Sequence, residues 1–243
     1  MGLLSLRGVK DINRRLQMMK RYVIHMFFPN RCPFCGQVME FGEHCCTECK
    51  LTLTLLDNTV CSVCSQKECR CLQSGMGIDG SFSAFNYEGN PKDAILAMKF
   101  KNRPEYAEHL AYFLAKQIGD HKFDCITFVP MHDKKKKKRG YNQAELLAKH
   151  LAQELNIPCK TLLVKIKESE EQHTLSLEKR KCNVVGSYAV MNTTEISGKC
   201  ILLIDDILTT GATVKECSKM LKTYRAKKVY SATICRVSRN RSE

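Results

Sequence analysis

The sequence predicts an α/β protein in which a parallel sheet is flanked by helices and preceded by a small cysteine-rich module. Three observations predict it. From about residue 80 onward, short apolar runs alternate with stretches whose apolar residues recur at helical spacing. Nine of the 15 cysteines crowd between Cys32 and Cys71. One apolar run, Ile201 to Ile204, ends in Asp205-Asp206 and then Thr209-Thr210-Gly211-Ala212-Thr213, as a buried strand does where its carboxyl end meets a ligand.

Residues 1–29 form a basic lead-in with Arg14, Arg15, Lys20 and Arg21, read as a surface helix. Tyr22 to Phe28 is apolar but broken by His25 and lacks a small-residue cleavage site, which argues against a secretory signal. Gly2 is followed by Leu6 where myristoylation needs Ser or Thr. No run of about 18 apolar residues occurs, so no membrane-spanning helix is expected, and the chain reads as cytoplasmic.

Residues 30–75 form the cysteine module. Cys32-Pro-Phe-Cys35-Gly36 and Cys46-Thr-Glu-Cys49 are two C-x-x-C knuckles separated by ten residues. Such turns let paired thiolates converge on one ion, and two of them complete a tetrahedral structural Zn²⁺ site. Cys61-Ser-Val-Cys64 with Cys69-Arg-Cys71 offers a second, less regular set of ligands. A disulfide scaffold or a redox pair would use the same residues, but disulfides need an oxidising compartment for which no targeting signal argues. Cys45 reads as a bystander beside Cys46. The scattered Cys125, Cys159, Cys200 and Cys235 sit in apolar runs, where a free thiol acts as a small core residue.

Residues 80–238 form the α/β domain. Ser81 to Tyr87 alternates aromatic and small residues, the pattern of a half-buried strand. Asp93 to Phe100 reads as a helix, and Leu110, Phe113, Leu114 and Ile118 mark another after Pro104. Asp124 to Pro130 is a short continuous apolar run suited to a buried parallel strand. Ala144, Leu147, Ala148, Leu151 and Leu155 give a further helix. Lys160 to Ile166, Lys199 to Ile204 and Lys228 to Cys235 read as buried strands, with a helix through Val214, Cys217, Met220 and Leu221.

The segment Ile201 to Thr213 carries the most chemistry. Gly211 lets the backbone approach a phosphate closely, and threonine hydroxyls with helix N-terminal amides can donate to it. Neither a Walker Gly-Lys-Ser/Thr nor a G-x-G-x-x-G is present. Two carboxylates before an anion cradle would repel a triphosphate but accept hydrogen bonds from sugar hydroxyls. The implied ligand is a sugar with a phosphate on one side and a diol on the other. Upstream, Lys134 to Lys138 and Arg139 place six consecutive cations after the strand through Phe128, suited to a polyanion or simply to a solvated tip. Asn142 and Gln143 open the next helix, where Asn is also an ordinary cap. His132 is either a general base or a loop residue.

The Asp205-Asp206 to Thr213 stretch resembles the phosphoribosyl pyrophosphate (PRPP) motif of type I phosphoribosyltransferases. That resemblance implies a type I phosphoribosyltransferase-like parallel sheet. It assigns Asp205 and Asp206 to the ribose hydroxyls, Thr209, Thr210, Gly211, Ala212 and Thr213 to the 5-phosphate, and Mg²⁺ to the pyrophosphate. Val129-Pro130-Met131-His132, then Arg139-Gly140-Tyr141-Asn142-Gln143-Ala144, behind a cysteine module, resembles the ComF family of competence-associated, phosphoribosyltransferase-like proteins. Met131 and Tyr141 are mild variants of its usual Leu and Phe, Lys165 stands where Arg is more usual, and Gln172 and Arg180 to Asn183 match later positions. The resemblance implies that His132, Arg139, Gly140, Asn142 and Gln143 form a pyrophosphate-binding basic loop. It further implies a role in uptake of single-stranded DNA during transformation, with a helicase-like ATPase and a recombination mediator as partners. Pentosyl transfer, PRPP sensing without turnover, and a zinc-ribbon nucleic-acid adaptor are three readings of such a chain. The net charge of +14 suits a polyanionic ligand, while the absence of Trp argues against an extensive base-stacking platform.

Overall fold

In the computed structural model, residues 6–57, 77–166 and 186–237 are described. The chain divides into two units, Met1–Leu53 and Thr54–Glu243. Cys61, Cys64, Cys69, Cys71, Gln172 and Arg180 to Asn183 lie outside the described residues.

In the first unit, helix α1 (Leu6–Phe27) leads into the first knuckle, and α2 (Thr47–Thr52) follows the second. The knuckle folds through backbone bonds: Cys32 N–H donates to the Gln37 carbonyl at 2.7 Å, and Gly36 N–H to the Cys32 carbonyl at 2.9 Å. Gly36 takes φ +78°, a left-handed conformation that disfavours a side chain and lets the turn close. Phe34 and Met39 are its buried apolar side chains besides cysteine among the described residues.

In the second unit, β1 (Gly80–Asn86), β2 (Cys125–Phe128), β5 (Cys200–Leu208) and β6 (Lys228–Arg236) form an all-parallel sheet in the order β1-β6-β5-β2. The helices of this unit are α3 (Gly89–Phe100), α4 (Tyr106–Ile118), α5 (Asp133–Arg139), α6 (Gln143–Leu155) and α7 (Ala212–Thr223). Strand β5 is central, and Ile201, Leu202, Leu203 and Ile204 are all fully buried. Their consecutive burial explains why the run is uniformly apolar rather than alternating. Hydroxyls of the β1/β6 pair satisfy one another: buried Ser83 with Thr233, and buried Ser231 with half-buried Ser81, each at 2.8 Å. Strand β1 differs from the half-buried expectation, since Phe82 to Phe85 are buried on both faces. Residue Leu56 covers the strand's edge, its N–H donating to the Ala84 carbonyl at 2.9 Å.

The Lys160 to Ile166 expectation needs correction. Only Leu163–Lys165 (β3) is a strand, and it pairs antiparallel with β4 (Tyr188–Val190), outside the parallel sheet. What touches the sheet is the preceding turn, where Ile126 N–H donates to the Pro158 carbonyl and Lys160 N–H to the Ile126 carbonyl. Pro158 has no N–H to extend a ladder, and Leu163 buried beside Val164 exposed marks a one-sided ribbon rather than a central strand.

Candidate functional site

The carboxyl ends of β2 and β5 open into a cleft of about 530 Å³. Its floor is acidic. Asp205 and Asp206 lie in the last residues of β5, and the Asp206 N–H donates to Asp205 Oδ1 at 2.9 Å. Burial, and then the charge of Asp206, push the Asp205 carboxyl from 3.8 up to about 7. Asp206 is paired with Lys99 on α3, Nζ to Oδ2 at 2.9 Å, both side chains being at most one-fifth exposed. Burial works against the Lys99 charge, yet Asp206, with help from Asp205, holds its pKa above the ordinary value. The ligand-free floor is thus two carboxyl groups and one ammonium, with one carboxyl near its midpoint at neutral pH.

Beyond the pair, Thr209 and Thr213 line the cleft, and the loop turns into α7 at Gly211. Gly211 has φ +75° and serves as N-cap without a side chain, which leaves the first amides of α7 directed at the loop. The Thr210 hydroxyl accepts from Ala212 N–H at 3.3 Å, fixing the turn. The structure therefore brings Asp205, Asp206, Thr209 and Thr213 to one edge of the sheet, with Thr210, Gly211 and Ala212 shaping the loop behind them.

The opposite wall is cationic. The lysine-rich segment, expected as a loop, is the helix α5. His132 caps it, Nδ1 accepting from Lys134 N–H at 3.4 Å, and Gly140 ends it at φ +88°. Lysine is a good helix former, and its charge suits the carbonyl end of the helix. Of the six consecutive cations, Lys135 and Arg139 line the cleft along with His132. Lys136 instead pairs with Glu145 at 2.8 Å, which Lys149 also holds at 2.7 Å. Burial would raise the Glu145 carboxyl, but those two ammonium groups hold it below its usual value.

Asn142 turns out to be a structural anchor. Its Oδ1 caps α6 by accepting from Ala144 N–H at 3.1 Å, and its Nδ2 donates to the Val129 carbonyl at 3.0 Å, tying α6 to the end of β2. Gln143 is buried, its Oε1 accepting from Arg139 at 2.8 Å while Nε2 faces no partner. Arg139 also lies over the Phe100 ring, 5.7 Å from its centroid.

Three cleft residues were not legible as site residues in the sequence: Lys99, Tyr87 and Tyr188. Lys99 carries no motif, since it is one lysine on an ordinary helix. Burial pushes the Tyr188 phenol well above its usual value, and Lys165 lies over its ring at 5.7 Å.

In the first unit, the sulfurs of Cys32, Cys35, Cys46 and Cys49 all lie within 4.8 Å of one another. Four thiolates at about 2.3 Å from a tetrahedral Zn²⁺ lie about 3.8 Å apart, so the cluster fits the ion with little adjustment. Cys46 caps α2 and accepts from Cys49 N–H at 3.5 Å, the amide-to-sulfur arrangement that steadies a thiolate ligand. Cys45 is buried beside the cluster, its thiol pushed by burial up to about 11, which suits the bystander assignment.

Comparison with known proteins places these features. Residues 142–243 match the phosphoribosyl transferase domain, and residues 23–77 match the double zinc ribbon domain. The chain is 27% identical over 215 residues to competence protein F of Haemophilus influenzae, covering 76% of this chain and 93% of that protein. It is 27% identical over 224 residues to the DNA utilization protein YhgH of Escherichia coli, covering 86% and 97%. To competence protein ComFC of Bacillus subtilis it is 24% identical over 213 residues, covering 80% and 85%. These matches bear out the resemblance to the ComF family along most of the chain, and the structural zinc expected of its cysteine module. Among the described residues, no helix is long and apolar enough to cross a membrane.

Proposed function

We propose that this relative of the competence proteins binds PRPP, or a closely related phosphoribosyl ligand, in the β2/β5 cleft, and works in the handling of single-stranded DNA during transformation. One observation carries the reading: an acidic pair and a glycine-turned threonine loop end β5, and they face Lys135, Arg139 and Lys165 across one cleft. The ribose diol would donate to Asp205 and Asp206. The α7 amides with Thr209 to Thr213 would hold the 5-phosphate. The pyrophosphate would meet Arg139 and Lys135, and Mg²⁺ would neutralise part of its charge.

Lys99 acts as the ligand's placeholder on Asp206. When hydroxyls take that carboxylate, the ammonium is released toward the phosphates. Ligand binding also favours the ionised form of Asp205, so affinity rises with pH through about 7.

Thermal shift with PRPP and Mg²⁺, beside ribose 5-phosphate and pyrophosphate separately, tests the assignment. PRPP should stabilise the chain more than either fragment, and Asp206→Asn should remove the effect. Equal stabilisation by pyrophosphate alone would show that the diol and acid pair play no part. A binding role without turnover is the second reading. It is favoured by His132, the candidate base, whose Nδ1 is committed to capping α5. Pyrophosphate release from PRPP in the presence of nucleobases separates the two.

A further inference from the structure

Helix α1 presents a surface that neither the zinc cluster nor the cleft uses. At about 100° per residue, Leu16, Met19, Val23, Met26 and Phe27 fall within one arc of about 100°. All five are between 51% and 74% exposed, and Phe28, just past the helix, is 77% exposed. The helix contacts its own unit through a different side: Tyr22 and His25 pack edge-on against Phe41, with ring centroids 5.2 and 5.5 Å apart. The apolar stripe therefore faces away from the packing that holds the helix to the knuckle.

Charge decides what covers the stripe. The helix sequence carries six basic residues against one acid, Asp11. Arg15 and Lys20, both exposed, sit just outside the two edges of the apolar arc. Long cationic side chains in that position lay their methylenes along an apolar surface and extend their charged ends outward. A second copy of this chain would bring the same cations to both edges and be repelled. An anionic lipid surface would attract them. Length and apolarity fall short of a membrane span, and a basic helix whose exposed apolar residues concentrate on one arc, with Met18 and Ile24 outside it, is the kind that lies flat in a bilayer interface.

We propose that α1 is a membrane-surface anchor, seating Leu16, Met19, Val23, Met26 and Phe27 among the acyl chains of an anionic bilayer while Arg15 and Lys20 meet its phosphate headgroups. The match to the double zinc ribbon domain begins at residue 23, so Leu16 and Met19 lie ahead of it and Val23, Met26 and Phe27 lie in its first residues. The inference stands independently of PRPP binding.

Cosedimentation of the zinc-loaded full chain with vesicles tests it. Vesicles of phosphatidylcholine with about 30% phosphatidylglycerol should bind at least about tenfold more protein than phosphatidylcholine alone, and added salt should weaken the difference. The triple variant Met19→Gln/Val23→Gln/Phe27→Gln should lose that binding while keeping its zinc content and circular dichroism. If that variant loses zinc, the pair Arg15→Gln/Lys20→Gln decides, with an expected severalfold loss on the anionic vesicles. Equal binding to both vesicle types, wild-type binding by the variants, or self-association through the stripe without lipid binding would each overturn the proposal.

Discussion

The two units of this chain solve the same problem with different means. Around Cys32 to Cys49 the described buried hydrophobic side chains are three of the four cluster cysteines (Cys32, Cys46 and Cys49), Cys45, Phe34 and Met39, while Cys35 is exposed. Around β5 they form a continuous apolar cluster that includes Leu162, Leu163, Ile201, Leu203, Val214, Leu221 and Val229. Burial of that extent stabilises a sheet unaided, whereas two apolar side chains cannot offset the chain entropy of a 20-residue loop structure. The lesson is that metal replaces core in the first unit, which leaves the second free to place polar and charged groups in its cleft.

Removing the metal should break that comparison most severely. A structural Zn²⁺ contributes on the order of 10 kcal/mol to folding its site. Chelation, or Cys32→Ser, should therefore unfold the knuckle, while the cooperative thermal transition of the sheet persists. Metal analysis with circular dichroism checks this, and a metal-free chain with native spectra contradicts it.

The converse change sits in the core. Leu203→Ala on β5 should cost about 2–5 kcal/mol with zinc content unchanged, read by chemical denaturation alongside metal analysis. A loss of zinc in that variant would show that the two units fold as one.

Asp205 gives a smaller effect with a sign. Its folded-state pKa of about 7 lies above the unfolded value near 3.8. Its contribution to stability is therefore fully present below about pH 4 and is lost as pH rises through about 7. Asp205→Asn should make the ligand-free protein more stable than wild type at pH 8, by on the order of a few kcal/mol, and nearly equal to it below pH 4. Melting temperatures at the two pH values test this. A variant less stable at pH 8 would place the carboxylate in a favourable structural role instead.

The smallest effect belongs to the α5 surface. Neutralising Lys134, Lys137 and Lys138 together should change stability little, since exposed charges contribute under about 1 kcal/mol each. If they meet single-stranded DNA, the slope of log affinity against log salt should flatten by up to about 2, at about 0.7 per phosphate. An unchanged slope shows that those three side chains do not meet the nucleic acid.

Much of the fold was legible because its signals are local. Fully buried parallel strands read as unbroken apolar runs, and the β5 run with its acid pair named both the central strand and the edge where the cleft opens. The C-x-x-C spacing named the metal ligands, which the structure brings together. What escaped the sequence depends on contacts between distant segments. Lys99 becomes a cleft residue only because α3 brings its ammonium within 2.9 Å of Asp206 near the end of β5, and a lysine in helix spacing announces nothing of that. The β3/β4 ribbon escaped because three-residue strands offer too little periodicity, so Lys160 to Ile166 read as a core strand. The lysine run reads as a loop by its charge alone, because the caps at its two ends carry a weaker signal. His132 and Gly140 bound a short helix, and the lysines between them are good helix formers. Asn142 shows the opposite case, where a motif residue proves to be the cap and tether that position α6.

The most direct measurement is a calorimetric titration of PRPP with Mg²⁺ into the zinc-loaded chain and into Asp205→Asn, both at pH 8. The wild type should bind one PRPP per chain, and Asp205→Asn should lose that binding while melting no lower than wild type. Binding of equal strength to both proteins, or no heat from the wild type, would contradict a phosphoribosyl ligand held by the acid pair of β5.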